Sequence, residues 1–125
     1  MNNSESENRN LNVCDLKYLN DLMGGKKHLV KGVLDVFLIQ IPEELQCINE
    51  AVTKINYAVI KGYAHTMKST VSIMGISCLT DILQEMEDLS ASSTDIENII
   101  MLNQKLNLIC NKAIEEIENE KHNYV

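Results

Sequence analysis

Tryptophan is missing from this sequence, proline occurs once, and aromatic residues fill only 4% of its 125 positions. With a single proline and five glycines, little interrupts long helices. The shortage of aromatic residues and of alternating β-branched residues argues against a sheet. No apolar run reaches the roughly 18 residues of a membrane span, and the opening MNNSESENRN is polar rather than signal-like. Basic clusters are equally scarce. Lys26–Lys27, with Lys31 nearby, is the only local concentration in a chain of net charge −7. Neither nucleic acid nor an anionic membrane is therefore expected as a partner. There is no CxxC pair. Cys14, Cys47, Cys78 and Cys110 lie far apart among apolar neighbours and read as buried, reduced thiols of a cytoplasmic protein, with disulfides or a zinc site as the minor alternatives.

What is present is helical periodicity. Hydrophobic residues are 45% of the chain, enough for one domain with a real core. Residues 1–10 read as a disordered tail or linker, 11–119 as the domain, and 120–125 as a frayed tail. A first short helix runs roughly from Asp15 to Met23, with Leu16, Leu19 and Leu22 inward, and stops at Gly24–Gly25. A second starts near Lys26 and carries Val30, Val33, Leu34, Phe37 and Ile41. Pro42 kinks or breaks it, and Leu45, Ile48 and Val52 continue the stripe. A third follows Asn56, a good N-cap, and ends near Gly75. Ser77 is placed to cap a fourth, with Leu79, Ile82, Leu83, Met86 and Leu89 inward, and LSASS reads as a loop. The fifth opens on Thr94–Glu97, a capping-box pattern, and carries Ile96, Ile99, Leu106, Cys110, Ala113 and Ile117. Met67, Met74, Met86 and Met101 fall at apolar positions and read as core. This order predicts an all-α fold, an antiparallel four-helix bundle whose short first helix covers one end.

The third helix holds the most informative position. At about 100° per residue, with Met67 at the centre of the inward face, Ile60, Tyr63, Ala64, Val71 and Met74 fall within roughly 60° of it. His65 falls about 160° away and should face solvent. Gly62, Ser69 and Ser72 share its side and keep the surroundings low. Lys61 and Lys68 lie one turn from the imidazole, where two cations favour its neutral form and neutralise an anion placed on the ring. A metal role is not expected, since His65 has no Cys, His, Asp or Glu three or four positions away. Nor does any serine or cysteine pair with an oriented base on a glycine-rich turn. His28 and His122 read as solvated side chains without a role.

The stretch AHTMKSTVSIMG, Ala64 to Gly75, resembles the signature of histidine-containing phosphotransfer (HPt) domains, with Ala64, His65, Met67, Lys68, Thr70 and Gly75 at matching positions. DLKYLNDLMGGKKHLVKGVLDVFLIQIPEEL resembles the flanking layout of that family. Where this chain has Ser69 the family usually has glycine. Serine is also small, and its hydroxyl can donate to a phosphoryl oxygen. The resemblance implies a phosphorelay. His65 would accept a phosphoryl group from a receiver-domain aspartate and pass it to another, and Lys68 would stabilise the transferred group. Lys61, Gly62, Ser72 and Ile73 would contact the receiver, with Leu11, Val13 and Leu16 as weaker candidates. It also implies no cofactor of its own. Mg²⁺ would come from the receiver, since no convincing carboxylate cluster lies on the His65 face. Nothing resembles an ATP-binding loop, so phosphate would arrive from a partner, a response regulator or a hybrid sensor kinase. A monomer suits a module that exchanges partners quickly. The competing reading is a phosphorylation-silent bundle that only binds receivers or dimerises.

Overall fold

A computed structural model describes residues 12–124, so the tail expected over 1–10, and Leu11 as a contact, lie outside the described residues. Within them the fold is all-helical: α1 (Leu16–Leu22), α2 (Lys27–Thr53), α3 (Tyr57–Ile73), α4 (Ser77–Ala91) and α5 (Ile96–Glu120), then a 3₁₀ helix at Lys121–Tyr124. Each long helix has an apolar stripe that must be buried. Contacts run α2–α3, α3–α4, α4–α5 and α5–α2, a closed ring around one core, and α1 packs on α2. The core includes Leu34, Phe37 and Ile48 of α2, Ile60, Met67 and Val71 of α3, Leu83 and Met86 of α4, and Leu106, Cys110 and Ile117 of α5.

Local chemistry sets the helix ends. Asp15, Asn56 and Asp95 cap α1, α3 and α5 by accepting from Tyr18, Val59 and Asn98 N–H groups. Helices α1 to α4 all end in the same way, with a left-handed residue just past the last turn: Gly24, Ile55, Gly75 and Ser93. After α3, Gly75 N–H donates to Ser72 and Ile76 N–H to Val71, the paired bonds of a Schellman motif. Gly75 has a second reason to be glycine. Its φ is +68°, and a Cβ there would lie 2.6 Å from Asp15 Cβ. Asp15 N–H donates to Met74 carbonyl at 3.1 Å, and Glu116 accepts from Val13 and Cys14 N–H groups at 2.7 and 3.0 Å. The lead-in to α1 is thereby fastened to the α3–α4 turn and to α5.

Several details differ from the sequence expectation. Pro42 neither breaks nor ends α2. A proline in a helix interior costs about 3 kcal/mol, but the apolar stripes before and after it are both buried in the core and outweigh that cost. Helix α4 continues through Leu89 and Ser90 to Ala91, since Ser90 is buried on its inner face. Ser77 is the first residue of α4 and not its cap, and Asp95, not Thr94, caps α5. Leu22 and Met101 are about half exposed, because the core stripe of each helix is narrower than its run of apolar residues. Among the cysteines Cys110 alone is fully buried, its thiol pushed up to about 12 by desolvation, while Cys78 is exposed. Beyond Glu120 the chain turns into the 3₁₀ helix, and Tyr124 packs on the core.

Candidate functional site

Helix α3 presents Ala64, Met67 and Val71 to the core, so its opposite side must carry His65 into solvent, and the imidazole is 70% exposed. Gly62, Ser69 and Ser72 are exposed beside it, and Ile73 is 40% exposed one turn beyond Ser69. A Cβ at Gly62 would meet nothing within 4 Å, which leaves the approach along that side open.

The arrangement differs from the expected flank of two free cations. Glu87 of α4 reaches His65, with Oε2 3.1 Å from Nδ1. Its other oxygen lies 2.7 Å from Lys68 Nζ. Lys68 also donates to Gln84 Oε1 at 2.7 Å, and Gln84 Nε2 donates to Asp88 at 2.9 Å. The charge touching the ring is thus a carboxylate, and Lys68 is one step further along a chain of contacts. Lys61 is exposed and has no ion pair among the described residues. Lys68, hydrogen-bonded to Glu87, holds that carboxyl below the usual carboxylate range. Desolvation opposes the shift, and the bond to His65 adds to it. An ionised carboxylate can only accept, so the facing Nδ1 donates to it, and in the neutral ring the lone pair is then on Nε2. The ring is oriented by the logic that a buried aspartate applies in a hydrolase triad.

Sequence reasoning did not find Glu87 or Gln84. The signal was present in the turn. His65 and Glu87 are 22 residues apart, Lys68 and Gln84 are 16 apart, and both pairs centre near Gly75–Ile76. A helix pair folding back at that glycine brings those positions together.

A groove of about 460 Å³ opens beside the histidine face between α2 and α3. Leu29, Val36 and Ile73 supply exposed apolar walls, and Ser69 and His28 sit at its rim. His28, read as merely solvated, therefore borders the site. Val13 and Leu16 are half-buried against the core. Among the described residues no cluster of three or more His, Cys, Asp or Glu side chains is arranged to hold a metal ion, and no helix is long and apolar enough to cross a membrane.

The site thus sets a solvent-facing histidine, held through Nδ1, beside an ammonium group and an apolar groove. No curated protein and no solved structure matches the chain. The family model of the Hpt domain matches residues 32–120, from the second turn of α2 to the end of α5. It spans His65 and all four long helices, and the chain belongs to the Hpt domain family.

Proposed function

We propose that this protein relays a phosphoryl group between receiver-domain aspartates through a phosphohistidine at His65, in a cytoplasmic two-component phosphorelay. The four long helices would form the antiparallel bundle expected from the sequence, supported by their ring of contacts. The observation that carries the reading is the His65–Glu87–Lys68 constellation. The Nε2 lone pair attacks the phosphorus of an acyl phosphate, the bond from phosphorus to the aspartate oxygen breaks, and aspartate leaves as a carboxylate. The ring becomes more positive as the new bond forms, and the Glu87 carboxylate on Nδ1–H stabilises it. Lys68 lies one helical turn from His65 and offsets the phosphoryl charge as it moves. Ser69 adds a hydroxyl donor at the edge of that space. Mg²⁺ is the receiver's contribution, neutralising phosphoryl oxygens.

The receiver docks with an apolar protrusion in the groove of Leu29, Val36 and Ile73, and its polar rim meets Lys61, Gly62 and Ser72. The donor or acceptor is a response regulator or the receiver of a hybrid sensor kinase. The test is transfer from a receiver phosphorylated on aspartate. The wild type should gain label that is acid-labile and base-stable, His65→Gln should gain none, and Lys68→Ala should gain it more slowly with the fold intact. Binding of a phosphorylated receiver without any transfer would establish the phosphorylation-silent reading instead.

A further inference from the structure

One face of the molecule is built unlike the rest. From Asn98 to Asn111 the only charged residue is Lys105, in a chain where 23% of residues are charged. The core takes Ile99, Leu102, Leu106 and Cys110 from this stretch. Left outside are Ile100 at 41%, Met101 at 50% and Leu108 at 72%, the last being the most exposed large apolar side chain among the described residues. Glu97, Met101, Gln104, Leu108 and Asn111 recur at alternating spacings of four and three on the outer side of α5, the pattern of a coiled-coil seam. It is separate from the stripe through Ile99, Leu106 and Cys110, which the core consumes.

We infer that the outer face of α5 pairs with the same face of a second copy of this chain, antiparallel about a two-fold axis between Gln104 and Lys105. The argument for a second copy is charge. Two chains of net charge −7 repel each other, and α5 has removed acidic residues from the middle of this face. An antiparallel register centred there sets Met101 against Leu108 of the other copy. It also sets Glu97 against Lys112, twice by symmetry, so the ends of the seam attract. Gln104 meets Lys105, a side-chain carbonyl facing an ammonium. A parallel pairing would put Lys105 against Lys105 and Glu97 against Glu97. The position is compatible with the relay. Helix α5 packs on α2 and α4, across the ring from α3, so both His65 faces stay open in the pair.

The test is sedimentation of the full chain over a concentration series. The wild type should rise from the one-chain mass towards twice that mass. Leu108→Glu should stay at one chain at every concentration, with wild-type helicity by circular dichroism. Glu97→Lys and Lys112→Glu should each weaken pairing several-fold, and the double variant should restore it. A wild type that stays at one chain throughout would overturn the proposal. So would a pair that is unaffected by Leu108→Glu, or a double variant no better than either single one.

Discussion

Replacing Glu87 by glutamine keeps the shape of the side chain and one acceptor but removes the charge that joins His65 to Lys68. In the native site one carboxylate oxygen faces Nδ1 at 3.1 Å and the other meets Lys68 at 2.7 Å. In the proposed transfer the ring gains positive character as Nε2 bonds to phosphorus, so the Nδ1 hydrogen bond would be stronger in the transition state than in the ground state, which is the condition for acceleration. A hydrogen bond to an ionised partner contributes about 1.5–3 kcal/mol, and a neutral one about 0.5–1.5 kcal/mol. The imidazole is 70% exposed, so water screens part of that difference. The loss is then about 1 kcal/mol, or roughly fivefold in transfer rate. Glu87→Ala removes the acceptor as well and should cost roughly tenfold or more. Rapid-quench measurement of transfer from a phosphorylated receiver reads both. Equal rates for wild type, Gln and Ala would refute the role assigned to Glu87. Stability gives an independent reading. The folded carboxyl titrates below its ordinary value of 4.5, so its contribution is present above that pH and lost as pH falls through the lower folded value. Denaturant unfolding at several acidic pH values should show a steeper acid decline for wild type than for Glu87→Gln.

Three further outcomes follow from packing. Met67 is fully buried, so Met67→Asp should abolish cooperative unfolding, whereas Met67→Ala should cost about 2–5 kcal/mol and still melt as one unit. Gly75→Ala combines a positive φ with a 2.6 Å approach to Asp15 Cβ, and should lower stability by at least about 1–2 kcal/mol in chemical denaturation. Ile55 is half exposed at φ +53°, a conformation costly for a β-branched residue, so Ile55→Gly should raise stability by about 1 kcal/mol; a lower melting temperature would contradict that account.

Much was legible along the chain because helices are local. The 3.6-residue period of Ile60, Ala64, Met67 and Val71 already implies which side of α3 is dry, and so that His65 is wet. Asn56 and Gly75 mark the ends of that helix through bonds to residues a few positions away. Where sequence reading slipped, competing local signals were close in strength. Thr94 and Asp95 are both good caps, and the run of serines after Leu89 hides one that is buried.

The amino-acid order by itself determined which helices form, the greater part of each inward face and the exposure of His65, because these depend on neighbours within one or two turns. Only the folded arrangement decided what His65 touches. Glu87 and Gln84 come from the next helix, and their meeting with His65 and Lys68 depends on how α4 returns from the Gly75 turn. Likewise the groove of Leu29, Val36 and Ile73, and the bare outer side of α5, exist only where helix surfaces meet or fail to meet. A stripe read along one helix says that it must be covered. It cannot say by what, because burial is a property of two surfaces and the sequence displays them one at a time.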